Sequence, residues 1–99
     1  MNTPLPRHAC FLRAQGLLAA AAGDELLMMS VELGRYFNLN EVGARIWALL
    51  ETPVGLDGLV GVLVAEYDVA PDLAQAEVQG FLQALYQRGL LDVVDEPAA

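Results

Sequence analysis

Gly34-Arg35-Tyr36-Phe37-Asn38-Leu39-Asn40-Glu41-Val42-Gly43-Ala44-Arg45-Ile46-Trp47 is where the hydrophobic period of this 99-residue chain changes. Up to Asn38 the residues read as a strand, with the adjacent aromatics Tyr36 and Phe37 on alternate faces, and from Leu39 to Gly89 the apolar positions recur at helical spacing. Asn40 is a good N-cap and Glu41 suits the positive end of a helix dipole. Val42, Ile46, Leu49 and Leu50 then follow at i, i+4, i+7 and i+8, which makes the first helix. On the strand side, a period of two puts Phe37 and Leu39 on one face, so Tyr36 points the other way.

Working back from this junction, residues 17–22 (Leu-Leu-Ala-Ala-Ala-Ala), 25–30 and 35–38 are short segments separated by Gly23-Asp24 and Glu32-Leu33-Gly34. Both separators are turn signals, so the three segments read as an antiparallel meander. Alanine is a poor strand former, which makes the first of the three the weakest and leaves its register open. Residues 1–15 contain Pro4 and Pro6 and show no period. They read as an N-terminal arm ending in a short strand near Phe11 and Leu12.

Working forward, Pro53 and Gly55 break the first helix. Leu56, Leu59, Val60, Leu63, Val64 and Tyr67 repeat at helical spacing and make the second. Gly58 and Gly61 each cost that helix about 1 kcal/mol relative to alanine, so either tertiary packing stabilises it or the glycines admit another backbone. Pro71 and Asp72 open a third helix, with Ala74, Val78, Phe81, Leu82 and Leu85 on one stripe and Gly89 at its end. Leu90 and Leu91 read as a cap folded back on the core, and residues 95–99 as an acidic tail. Strands precede helices, so the class is α+β, with a single domain over 16–94.

Composition narrows the function. The chain has thirteen acids against five basic residues, all of them arginine, and a net charge of −8. That charge opposes a nucleic-acid backbone. It is uneven: Met1–Arg35 holds three acids and three bases, whereas Tyr36–Ala99 holds ten acids with only Arg45 and Arg88. One cysteine and one histidine, Cys10 and His8, supply neither an internal disulfide nor a zinc quartet, and the absence of lysine removes a Schiff base and a P-loop ammonium. Glu66, Asp68, Asp72 and Glu77 have the spacing of a solvated face. The apolar run 17–22 is short for a signal peptide, and no run approaches the ~18 residues of a membrane span. The expectations are a cytoplasmic protein with no catalytic residues, no metal and no cofactor, whose function is binding.

A three-stranded meander leaves two edges with unpaired N–H and C=O groups, and an open edge invites a partner strand. A helix packed beside the third strand makes a groove with backbone on one wall and side chains on the other, the setting for peptide capture by strand addition. Tyr36 and Phe37 are then either groove residues or ordinary core and surface residues. The acidic helical surface leads to the expectation of a basic ligand or a basic face on a partner enzyme.

The run from Gly34 to Trp47 resembles the strand-to-helix signature of PqqD-like proteins, the recognition elements that hold precursor peptides of ribosomally made, modified natural products. Ala65-Glu66-Tyr67-Asp68-Val69 resembles the end of that family's second helix. Glu77-Val78-Gln79-Gly80-Phe81-Leu82 and Arg88-Gly89-Leu90-Leu91 resemble its third helix and closing motif. The resemblance implies a winged-helix-like fold, a three-stranded antiparallel sheet followed by three helices, that adds a leader peptide as a strand between strand three and helix three. It places Arg35, Tyr36, Phe37 and Asn38 on the receiving strand and Ala74, Glu77, Val78 and Phe81 on the groove side of helix three, with Val78 and Phe81 equally readable as core.

The signature is more like the stand-alone leader-binding proteins of lasso-peptide pathways, whose partners are a leader protease or cyclase, than like the pyrroloquinoline-quinone protein that serves a radical SAM enzyme. Two positions depart from the family pattern: Gly55 and Ala70 stand where helices two and three usually have side-chain caps. Two rivals remain. A DNA-binding winged helix is disfavoured by a third helix with a single arginine at its far end. A homodimerisation module would use the same strand edge.

Overall fold

A computed structural model describes residues 9–94. The chain order is β1 (Cys10–Arg13), β2 (Leu17–Ala22), β3 (Glu25–Ser30), β4 (Arg35–Leu39), α1 (Glu41–Leu49), β5 (Val54–Gly55), α2 (Leu56–Glu66), α3 (Pro71–Gln87) and β6 (Leu91–Val94). The expected α+β, winged-helix-like arrangement is present: the meander β2-β3-β4 leads into three helices.

The meander forms where the turn chemistry directs it. Gly23 takes a positive φ of 64° at the first position of a two-residue turn that sets Ala22 opposite Glu25. In the longer β3–β4 turn, Gly34 has the same φ of 64° and donates its N–H to the Ser30 carbonyl at 2.8 Å. The Ser30 hydroxyl accepts from Leu33 N–H at 3.1 Å, which satisfies the buried side chain. The register places Met28 opposite Phe37 and Met29 opposite Tyr36. Met28 is fully buried and Tyr36 is 70% exposed, so the expected division of faces holds.

A second antiparallel sheet, in the order β5-β1-β6, was not expected. Leu91 is the start of strand β6, where a simple cap had been read, and the short strand near Phe11 and Leu12 is the centre of this sheet. Phe11 lies between Val54 and Val93 and is 2% exposed. The leading segment is therefore built into the core from Ala9 onward; residues 1–8, with His8, lie outside the described residues. Two backbone bonds tie the end of β1 and the residue after it to the segments that follow α1 and α3: Arg13 N–H to the Leu50 carbonyl and Ala14 N–H to the Leu90 carbonyl, each 3.0 Å. Cys10 is buried and free.

Asn40 caps α1 through a bond from Gly43 N–H to Asn40 Oδ1 at 2.9 Å. Gly55 and Ala70, the departures noted above, stand at the N-caps of α2 and α3 without a side-chain cap bond. At the other end of α3, Gly89 has φ 74° and its N–H bonds to Tyr86, while Leu90 N–H reaches back to Leu85. This Schellman pair turns the chain sharply and buries Leu90 at 1% exposure.

The core gathers Phe11, Met28, Ile46, Trp47, Leu50, Leu59, Val78, Leu82 and Leu90 between the two sheets and the helices. The α2 glycines admit no foreign backbone: a Cβ on Gly58 would meet a Val54 methyl at 3.1 Å, and one on Gly61 would meet nothing within 4 Å. Packing is what sustains α2. On the surface, Arg45 of α1 grips Glu66 at the end of α2 with two parallel hydrogen bonds, Nε to Oε1 at 2.8 Å and Nη2 to Oε2 at 2.7 Å. That hydrogen bonding holds the Glu66 carboxyl below its ordinary range and raises Arg45.

Candidate functional site

Strand β4 pairs with β3 alone among the described residues, so its other edge presents unpaired backbone groups. Facing that edge is the C-terminal half of α3. Between them runs an open groove of about 410 Å³ lined by Tyr36, Phe37, Asn38 and Leu39 on the strand side and Phe81, Ala84, Leu85, Arg88 and Leu90 on the other.

Each wall follows from local sequence. Phe37 is half-buried and lies on the inner face with Leu39, so its ring forms the floor of the groove. Tyr36 stands at the rim and looks over both the groove and the outer face of the sheet. Asn38 is exposed, and its Nδ2 donates to Glu25 Oε1 at 2.9 Å, which fixes its side chain toward β3. Phe81 is held against α1 because Gly43 has no side chain: a Cβ there would come within 3.2 Å of the Phe81 ring. Arg88 brings the groove its single charged side chain, with Nη1 donating to the Ala84 carbonyl at 3.2 Å.

Four of the eight residues expected at the site, Tyr36, Phe37, Asn38 and Phe81, meet in this groove. Arg35 is exposed at the start of β4 and Glu77 is exposed on α3, and neither lines it. Ala74 and Val78 do not line it either: they are 1% and 0% exposed and pack in the core, which corrects the groove placement of Ala74 and settles Val78, readable both ways, as core.

The reason is length. A helix of 17 residues is about 25 Å long, whereas β4 has five residues and runs beside only part of it. The strand meets the last two turns, so the helical wall continues from Phe81 to Ala84, Leu85 and Arg88, at i+3, i+4 and i+7. That progression lies in the sequence, but the apolar stripe alone does not say which of its turns face the strand. The local charge also differs from expectation: the wider helical surface is acidic, yet the groove carries a cation.

Comparison with known proteins bears on this geometry. Residues 25–91 match the family model described as coenzyme PQQ synthesis protein D (PqqD), a span running from β3 to the first residue of β6. The chain belongs to the PqqD family. Among solved structures it is similar to TbiB1 in complex with the TbiA(β) leader peptide, with 32% identity and a TM-score of 0.76 over 82% of this chain and 94% of TbiB1. It also shares its fold with the PqqD truncation of Methylobacterium extorquens PqqCD, a stand-alone recognition element for ribosomally synthesized and post-translationally modified peptides. That likeness is at 18% identity, with a TM-score of 0.69 over 84% of this chain and 88% of the other. No curated protein matches the chain. Within this PqqD fold, no group of three or more His, Cys, Asp or Glu among the described residues is arranged to hold a metal, and no described helix is long and apolar enough to cross a membrane.

Proposed function

We propose that the protein is a leader-peptide-binding adaptor without catalysis of its own, which takes a ribosomal precursor peptide into the β4–α3 groove as an added strand. The observation that carries this reading is the free β4 edge facing a groove floored by Phe37 and Phe81. An extended peptide supplies the backbone partners that β4 lacks, with alternate side chains entering between strand and helix. Each net backbone hydrogen bond contributes about 0.5–1.5 kcal/mol, so specificity depends on the apolar anchors and on Arg88, whose guanidinium suits a carbonyl or carboxylate of the guest. TbiB1, whose fold and sequence this chain resembles, is seen with a leader peptide bound.

The partner enzymes are then those that act on the presented precursor, and we favour the leader protease or cyclase of a lasso-peptide pathway. The test is fluorescence polarisation with labelled leader segments of short precursors encoded alongside the chain. Saturable binding to the wild type, weakened by Phe81→Ala, is the expected result. Binding unaffected by Phe81→Ala and by Phe37→Ala places the site elsewhere.

A further inference from the structure

The charges that border the β4–α3 groove are sorted by sign. On the strand side Arg35 stands one residue before Tyr36, and Glu41, the first residue of α1, two residues after Leu39. On the helix side Glu77, Phe81, Ala84 and Arg88 follow at i, i+4, i+7 and i+11, a spacing that keeps them on one face of α3. Glu77 thus lies one turn before the groove, and Arg88 lines its far end.

The two walls run in opposite directions. Phe81 lies against Gly43 of α1, which places it at the Leu39 end of the strand, and Arg88, about 10 Å further along the helix, reaches the Tyr36 end. The chain after α3 agrees, since the Leu90 carbonyl accepts from Ala14 N–H, three residues before Leu17, whose partner Ser30 is opposite Arg35. Both arginines therefore share one end of the groove and both glutamates the other, with Phe37 and Phe81 between them.

All four charged side chains are exposed, and none is in an ion pair among the described residues, whereas Arg13 and Arg45 reach Glu51 and Glu66. Glu32, in the turn before Arg35, pairs with neither arginine of the groove. At physiological ionic strength exposed charges are screened beyond about 8 Å, and the two ends of the helical wall lie about 16 Å apart. Each end is therefore felt locally, and the net charge of −8 does not decide what docks there.

We infer that the groove selects a dipolar leader segment, with an acidic residue for the Arg35–Arg88 end, a basic residue for the Glu41–Glu77 end and apolar residues between them. This rests on the strand-addition reading above and gives it a direction. Backbone hydrogen bonds alone accept a guest strand in either sense, whereas opposite charges at the two ends favour one. An extended chain covers about 16 Å in about five residues, which sets the separation of the two charges in the guest. Arg88 Nη1 is already anchored on the Ala84 carbonyl at 3.2 Å, so its guanidinium meets a carboxylate with less loss of side-chain freedom.

Fluorescence polarisation on the full chain, with the labelled leader segment of the precursor encoded alongside it, tests this by charge exchange. Arg88→Glu and, separately, a lysine in place of the leader's acid each weaken binding about 10-fold, and the two together restore it to within about threefold of wild type. Glu77→Lys and a glutamate in place of the leader's base behave in the same way at the other end. Arg88→Gln weakens binding of the native leader but not of a leader with glutamine in place of its acid, a difference that helix capping by Arg88 would not produce. The substituted sites are exposed, and circular dichroism melts confirm that each variant folds. Equal losses for both leaders, exchanges that fail to restore binding, or a leader bound through Phe81 without such charges overturn the proposal and leave the groove as the site. A wild type that binds no leader, or binds one independently of Phe81, overturns the reading it rests on as well.

Discussion

The described residues form two three-stranded antiparallel sheets that have been put to opposite uses. In β5-β1-β6 the central strand comes from the start of the described chain, and Phe11 of that strand and Leu91 of its neighbour β6 are buried in the core at 2% and 3% exposure. In β2-β3-β4 only Met28, Ser30 and Leu39 are buried, and both outer edges are open. Sheet architecture alone therefore does not mark a binding surface. What separates the two is burial: β1 and the start of β6 pack into the core, whereas the outer strands of the meander stay largely exposed, which leaves their edges within reach of partners.

Substitutions in the two regions should separate these uses, and the largest effect belongs to the buried sheet. Phe11→Ala should cost about 3–5 kcal/mol of stability, a large share of what a domain of this size possesses, read as a lowered midpoint in urea denaturation. Phe81→Ala should act mainly on the open sheet's groove and weaken leader affinity about 10- to 100-fold by polarisation, with a smaller loss of stability than Phe11→Ala. Tyr36→Ala, at the rim, should lower affinity by a smaller factor and leave the urea midpoint within about 0.5 kcal/mol of wild type. If Tyr36→Ala destabilises the fold as much as Phe11→Ala does, the contrast between the sheets is wrong.

The smallest expected effect lies outside both sheets, at the Arg45–Glu66 pair. The folded Glu66 carboxyl sits below its ordinary value of 4.5, so the contribution of the pair is complete above that value and is lost as the pH falls through the lower, folded one. Glu66→Gln should therefore lower the Tm slightly near neutral pH and narrow the gap to wild type in acid. Because both side chains are solvent-exposed, added salt should reduce the neutral-pH difference as well.

These contrasts track what could be read from the residues. The meander and the three helices were legible because turn glycines, the Asn40 cap and the change of period at Leu39 act locally. The β5-β1-β6 sheet was not, since its pairings join residues such as Cys10 and Val94 across almost the whole described chain, and a two-residue strand like Val54–Gly55 has no period to detect. The groove was legible on its strand side, where alternation alone assigns Tyr36 and Phe37. On α3 the stripe of buried residues was visible, but which turns would face β4 depends on the crossing of helix and strand. That is why the residues alone place Ala74 on the groove side, leave Val78 between groove and core, and do not single out Ala84, Leu85 and Arg88.

The pairing of β1 with β6 also sets the timing of folding. Phe11 is opposite Val93, so during translation Phe11 waits for a partner far downstream in the chain. At about 5–20 residues per second that interval lasts several seconds. The meander and the first helix can assemble in the meantime from neighbouring segments, whereas the sheet that seals the core closes only after synthesis of the domain is essentially finished.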